Sequence, residues 1–256
     1  MTPPEDSIVC SDLSIAHSAR GERVIDGVSF RLQRGGALVL VGATGSGKST
    51  LAAVLAGAAA DSVTVVGGDA VVEGISIRRA GRGRRMLPVL VGYLGQTDGA
   101  ELPARLTVGE IVAEPATSRQ KRLNMRALNL RVVTLLDELG LPLGVVNSFP
   151  FELSAGMRQR VALARTLLLD PKIVVADEPS TNLDVEAREI VREVLQRRQQ
   201  EDGTALLLVA NEAQTMARFD ADVLVLQGGH AVGYGRTSTG MQWTPSSEAD
   251  HRLVSS

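Results

Sequence analysis

An internal disulfide is excluded, because Cys10 is the only cysteine, and a lone thiol fits a reducing compartment. Cys10 lies in a stretch that alternates apolar with polar residues, which makes it a small packed side chain rather than a reactive one. No apolar run approaches the roughly 18 to 20 residues that cross a bilayer; the segment Ala205 to Ala210 is typical of the longest present. The N-terminus carries Glu5 and Asp6 with two prolines and no apolar core, so no secretory signal is expected there. A cytoplasmic chain is therefore expected, unless a partner holds it at a membrane. Charge of one sign is also missing: the formal net charge is −2, which gives no global field to attract nucleic acid. The local run Arg78-Arg79-Ala80-Gly81-Arg82-Gly83-Arg84-Arg85 has no aromatic residue interleaved, and it reads as a solvated loop. Neither an internal repeat nor a long low-complexity segment is visible.

What is present is enough apolar material for a large core. At 256 residues and 44% hydrophobic, the chain suits one α/β domain, or one such domain with an inserted subdomain. Its organising stretch is Gly42-Ala43-Thr44-Gly45-Ser46-Gly47-Lys48-Ser49-Thr50, set between an expected strand, Ala37 to Val41, and a helix expected to begin near Lys48. This is the phosphate-binding loop pattern in its strand–loop–helix setting. Its glycines let consecutive backbone N–H groups converge on an anion, and the following helix N-terminus adds positive dipole. Lys48 can reach terminal phosphates and the Ser49 hydroxyl can ligate Mg²⁺, so the ligand implied is a nucleoside triphosphate.

Around that loop, Ile8 to Ile15 and Val28 to Leu32 alternate as half-exposed antiparallel strands do. Gly57 is expected to end the first helix. Val63 to Val66 and Asp69 to Val72 read as short strands joined through Gly67-Gly68, and Val89 to Leu94 as a strand leading to Gln96. From Leu102 to Gly144 the pattern turns helical. Thr107 and Glu110 have capping-box spacing, and Met125, Leu128, Val132, Leu135, Leu136 and Leu139 recur at helical intervals before Gly140. An inserted α-helical subdomain is expected here, with Leu102, Leu106, Val108 and Ile111 as its core. The α/β alternation then resumes with a strand Lys172 to Ala176, a helix Val185 to Gln199 and a strand Ala205 to Ala210, followed by a helix Glu212 to Arg218 and a strand Val223 to Leu226. From Thr237 the polar tail is expected to be loosely ordered, with Trp243 as its only anchor.

A second chemical element is Ile173-Val174-Val175-Ala176-Asp177-Glu178, an apolar strand ending in two carboxylates. A parallel strand delivers its C-terminal end to the same edge as the phosphate loop, so Asp177 can hold Mg²⁺, directly or through water. Glu178, one residue on, is placed to polarise an attacking water as general base.

The third element, Leu153-Ser154-Ala155-Gly156-Met157-Arg158-Gln159-Arg160-Val161-Ala162-Leu163-Ala164-Arg165, resembles the signature segment of ATP-binding-cassette (ABC) ATPases. Ser154 suits an N-cap, and free N–H groups near Ala155 and Gly156 could receive a γ-phosphate. The resemblance covers nearly all of residues 8 to 235. It implies a P-loop NTPase (RecA-like) α/β core, an antiparallel β subdomain and a helical subdomain at about 100–165, within a domain of residues 1–236 followed by a tail of 237–256. Gln96 matches the family's Q-loop glutamine, which ligates Mg²⁺ and links the nucleotide to the helical subdomain. Thr181-Asn182-Leu183-Asp184 resembles the D-loop, whose aspartate, here Asp184, lies at a dimer seam. Ser154, Ala155 and Gly156 would act in trans, on ATP bound by a second cassette. The wording Phe149-Pro150-Phe151-Glu152-Leu153-Ser154, with Ala176-Asp177-Glu178-Pro179 and the Arg78 to Arg85 region, looks most like ATPase subunits of oligopeptide, dipeptide and nickel importers.

Departures from the family pattern carry expectations of their own. His17 is the counterpart of the aromatic residue that stacks on adenine, and an imidazole covers less area. Ala155 adds a Cβ where a phosphate should approach a glycine, and Met157 replaces a glutamine. At the switch position, where the family presents a histidine, the chain reads Val209-Ala210-Asn211-Glu212. Asn211 cannot become a cation to steady developing charge. The expectation is an ATP- and Mg²⁺-binding subunit of a transporter, peripheral on the inner face of the cell membrane, with its own site weakened. Its expected partners are a second and different cassette, a separate permease and a solute-binding protein, with no nucleic acid. The alternatives are a regulatory ATP-binding subunit without useful turnover and a soluble ABC ATPase outside transport. The latter would usually carry two cassettes or a long coiled coil, neither of which is visible.

Overall fold

Five consecutive buried apolar residues, Ala37–Val41, form β3, and such an uninterrupted run needs both faces covered. In the computed structural model, which describes residues 6–18, 21–79, 83–119, 122–210, 220–236 and 240–243, β3 lies inside a seven-stranded sheet. It pairs in parallel with β8 (Ala205–Val209) and β9 (Asp222–Gln227), and β7 (Ile173–Asp177) pairs in parallel with β8 and with β6 (Val91–Leu94). The antiparallel strands β10 (His230–Arg236) and β11 (Gly240–Trp243) complete one edge, in the order β11-β10-β9-β3-β8-β7-β6.

Side-chain alternation along these parallel strands divides the interior in two. Val39, Val41, Val174, Ala176, Leu206 and Leu208 face a core shared with α3 (Val108–Thr117), α4 (Met125–Glu138), α5 (Ala155–Leu167) and α6 (Val185–Asp202). Leu38, Leu40, Ile173, Val175, Leu207 and Val209 face the other core, shared with α1 (Lys48–Leu55) and a four-stranded antiparallel sheet. That smaller sheet runs β2-β1-β4-β5, from β1 (Asp6–Ala16), β2 (Arg23–Gln33), β4 (Thr64–Val72) and β5 (Ile75–Ser76). Because β3, β6, β7 and β8 are parallel, their C-terminal ends emerge along one edge. Gly42, Gln96, Glu178 and Ala210 follow there.

Local chemistry explains the helix starts. Thr107 caps α3 by accepting from the Glu110 N–H at 3.3 Å, while Glu110 accepts from the Thr107 N–H at 2.8 Å. The Thr107 N–H and the Thr107 hydroxyl both donate to the Glu110 carboxylate and hold it below its usual range. Leu102, Val108 and Ile111 are buried, and Leu106 packs against them. Cys10 is buried too, donating to the Val28 carbonyl, and burial pushes its thiol up to about 12. It is an inert packed residue.

Several expectations are corrected. The two short strands read around Gly67-Gly68 are the single strand β4, and the glycines allow a bulge rather than a turn. Gly68 has φ +58°, Asp12 opposite it has φ 51°, and the β1–β4 register shifts between Ser11 and Ser14. The strand read as Val89 to Leu94 is halved: Pro88 opens the short helix α2 (Leu87–Leu90), and β6 begins where Val91 meets Ile173. The strand β10 was not read, since Gly233 and Gly235 interrupt its apolar pattern. Within the tail expected to be loose, Gly240–Trp243 instead pairs with β10 as β11. The helix read at Glu212 to Arg218, the switch residue Asn211 and residues 244–256 lie outside the described residues. Among those described, no helix is long and apolar enough to cross a membrane.

Candidate functional site

Where β3 ends, the chain turns through Gly42 into α1, and three of its glycines hold positive φ: Gly42 at +151°, Gly45 at +82° and Gly47 at +97°. A Cβ on Gly42 would fall on the Leu226 carbonyl of β9. One on Gly47 would lie 2.6 Å from Ile25 Cδ1 and 2.7 Å from the Val24 carbonyl. Close packing against β9 at Gly42 and against β2 at Gly47 therefore adds to the backbone demand for glycine. Gly47 is the N-cap of α1 and supplies no side-chain cap, which leaves the first N–H groups of the helix directed at the loop's concavity. Lys48 is buried at 5% exposure. Its ammonium donates to the Gly42 carbonyl at 2.8 Å and the Ala43 carbonyl at 3.0 Å. The Ser46 hydroxyl is buried with no hydrogen-bond partner among the described residues.

A cavity of about 240 Å³ opens over this loop, lined by His17, Val24, Gln96 and Glu178 together with Thr44, Gly45, Gly47, Lys48, Ser49 and Thr50. Residues from five separate stretches of the sequence are thereby brought to one place. His17 arrives at the end of β1, Gln96 just after β6, and Glu178 just after β7. Asp177 sits beside Ser49 at 2% exposure. Burial raises its pKa above the usual 3.8, against a hydrogen bond from Ser49 that lowers it; the charge of Glu178 raises it further and that of Lys48 lowers it. A buried carboxylate held in this way accommodates a cation. The donors Ser49, Gln96 and Asp177 are all hard oxygens, as Mg²⁺ prefers. Among the described residues no cluster of three or more His, Cys, Asp or Glu could hold a metal. Three oxygen donors fill half of an octahedral shell, which suits an ion that brings phosphate and water ligands of its own.

Ser154, Ala155, Gly156 and Asp184 do not line this cavity. Ser154 caps α5 by accepting from the Met157 N–H at 3.2 Å, and Asp184 caps α6 by accepting from the Ala187 N–H at 2.8 Å. The two helix starts adjoin one another: a Cβ on Gly156 would stand 3.0 Å from the Asn182 carbonyl. Sequence reasoning did not find Val24 or the Leu226 carbonyl at the site. Both arrive through sheet packing and carry no local signal. Thr181 was placed in its loop, but its hydroxyl donates to Glu178 Oε2 at 3.0 Å, a link that only the turn geometry reveals.

A family profile described as ABC transporter matches residues 25–181. The chain is 34% identical over 216 residues to the oligopeptide transport ATP-binding protein OppF of Salmonella typhimurium, covering 83% of this chain and 63% of that one. It is 34% identical over 244 residues to the oligopeptide transport ATP-binding protein OppD of Mycobacterium tuberculosis, covering 94% of this chain and 38% of that one. It therefore spans under two thirds of the length of either relative. Among solved structures, the ATP-binding cassette MJ0796, in a dimeric post-hydrolysis state bound to ADP and Pi, superposes with a TM-score of 0.81. That match has 21% identity and covers 90% of this chain and 98% of that one.

Proposed function

Since this chain belongs to the ABC transporter family, we propose that it is an ATP-binding and ATP-hydrolysing cassette that powers a separate membrane permease. The transport reading is of peptides or similar small solutes, inward, as the names of its oligopeptide-transport relatives suggest. The observation that carries the proposal is the cavity that gathers Lys48, Ser49, Gln96 and Glu178 around the phosphate loop. The loop N–H groups and the α1 N-terminus receive the phosphates, and Lys48 exchanges the Gly42 and Ala43 carbonyls for phosphate oxygens. Ser49, Asp177 and Gln96 would hold Mg²⁺, which neutralises charge on the β- and γ-phosphates. Glu178 accepts a proton from the water that attacks the γ-phosphorus as the bond to the β-phosphate's bridging oxygen breaks, and ADP and inorganic phosphate leave. His17 covers the base.

In this reading residues 1–236 form the ATPase domain, with a helical subdomain at about 100–165 that moves when two cassettes close. Ser154, Ala155, Gly156 and Asp184 then complete the site of the second cassette. The exposure of Ser154, Ala155 and Asp184 supports a role across an interface. The permease docks near Gln96 to Glu114, beside a groove of about 400 Å³ lined in part by Tyr93, Asp98, Glu114, Arg119 and Arg165. A solute-binding protein delivers cargo on the far side, and the chain sits on the cytoplasmic face through its permease. With Asn211 at the switch position, the partner is a different cassette with a competent site, and this chain's own site, built on Lys48, Glu178 and Asn211, turns over slowly.

ATP turnover by the chain alone and with its co-purifying cassette tests this, comparing wild type with Glu178→Gln and Asn211→His. The expected result is that the pair hydrolyses ATP, Glu178→Gln leaves much of the rate, and Asn211→His raises it. Fast turnover by the chain alone that Glu178→Gln abolishes would overturn the asymmetry. Asn211 and Ala155 also favour a second reading, a regulatory subunit that closes on ATP; it requires that no turnover appear at this site even with Asn211→His.

A further inference from the structure

Glu178 is held in an unusual way. Its backbone has φ 51°, a left-handed conformation that a non-glycine residue keeps only where the surroundings over-determine it. Among the described residues, two backbone bonds contribute to this. The Glu178 N–H donates to the Val209 carbonyl at the end of β8 at 3.1 Å, and the Glu178 carbonyl accepts from the Thr181 N–H at 3.0 Å. The second bond closes the turn Glu178-Pro179-Ser180-Thr181 and brings the Thr181 side chain back over the carboxylate. There its hydroxyl donates to Glu178 Oε2 at 3.0 Å. Both side chains are half-buried, so solvent competes weakly for this bond. On the far side of Thr181, Asn182 has φ 62° and its carbonyl faces the α5 start at Gly156. Thr181 therefore stands on a short segment bonded to β8 on one side and packed against the start of α5 on the other.

We propose that Thr181 is a positioning residue for hydrolysis: its hydroxyl fixes the Glu178 carboxylate in the orientation that takes the proton from water. The inference rests on the reading of Glu178 as general base. A misdirected carboxylate cannot take the proton, and a donor on one of its oxygens favours one orientation over the others. A hydroxyl at residue 181 supplies the donor, whether on threonine or serine, and valine keeps the shape without it.

Single-turnover hydrolysis by the chain with its co-purifying cassette, the partner's phosphate-loop lysine replaced, isolates this chain's site. ATP affinity is measured in parallel. Thr181→Val is expected to lower the hydrolysis rate constant about tenfold while ATP affinity stays within about twofold, and Thr181→Ser is expected to restore most of the rate. In a Glu178→Gln background, Thr181→Val should add no further loss, because there is no base left to orient. An unchanged rate in Thr181→Val, an equal loss in Thr181→Ser, or a full further loss in the double variant would each overturn the positioning role while leaving Glu178 as base. A Glu178→Gln variant that keeps the wild-type rate constant would overturn the base reading itself, and this inference with it.

Discussion

Burying the Asp177 carboxylate behind the phosphate loop costs the nucleotide-free protein stability. Its folded pKa is raised by burial and by the Glu178 charge, above the ordinary 3.8. Between the unfolded and folded values the folded chain binds more protons than the unfolded one, so this group's contribution to stability falls as pH rises through that window. At neutral pH the ionised carboxylate is a standing penalty that Ser49 and Lys48 offset only in part. Asp177→Asn is therefore expected to raise the Tm of the nucleotide-free chain at pH 7 by on the order of 2 °C. The wild type is expected to show a Mg²⁺-dependent rise in Tm with ATP, and Asp177→Asn is expected to remove it. Calorimetry with and without MgATP reads both; a lowered Tm in the free chain would contradict the penalty. Asp177 and Glu178 were legible as a carboxylate pair ending an apolar strand. The Thr181 hydroxyl was not, because its role depends on a turn that folds it back three residues.

At the scale of elements, the same glycine signal carried two different meanings. Gly57 and Gly140 end helices with φ +69° and +65°, as their position after an apolar helical stripe predicts. Gly67-Gly68 has the look of a turn and is instead a bulge inside β4, because β1 runs alongside and crowds it. Gly68→Ala should cost roughly 2–3 kcal/mol, since its Cβ would fall on the Asp12 carbonyl at a left-handed φ. Gly67→Ala should cost about 1 kcal/mol or less, because its Cβ meets only the Ser14 side chain, at 3.2 Å. Urea denaturation of the two variants separates bulge from turn, for a simple turn would tolerate both alike. The half-helix, half-strand nature of 87–94 has a similar origin: Pro88 favours a helical first turn, and only the pairing of β6 with β7 says where extension resumes.

Across the whole molecule, one guanidinium ties distant parts together. Arg198 of α6, at 9% exposure, donates to Glu138 of α4 at 2.7 Å and to Asp170, after α5, at 3.1 Å. Glu138 also pairs with Arg197, and Asp170 with Arg131. The network fastens α4 to the layer formed by α6 and the α5–β7 connection. Because Asp170 is largely exposed and the carboxylates keep other partners, Arg198→Met is expected to cost about 2 kcal/mol, below the loss from a fully buried pair. Amide exchange should rise in α4 ahead of β3, β7 and β8. Uniform exchange across both layers would deny the network this fastening role.

Local sequence was enough for the phosphate loop, the carboxylate pair, the helix caps at Thr107 and Ser154, and the alternation of strands and helices, because each is written in neighbouring residues. The arrival of His17 and Gln96 at one cavity was legible only through family resemblance. Tertiary structure alone decided that Val24 and the Leu226 carbonyl close over the loop, that Gly67-Gly68 bulges, that Gly240–Trp243 extends the sheet, and that Arg198 bridges helices. Such contacts join residues far apart in the chain. Their energies come from packing and pairing between elements, which no local propensity encodes.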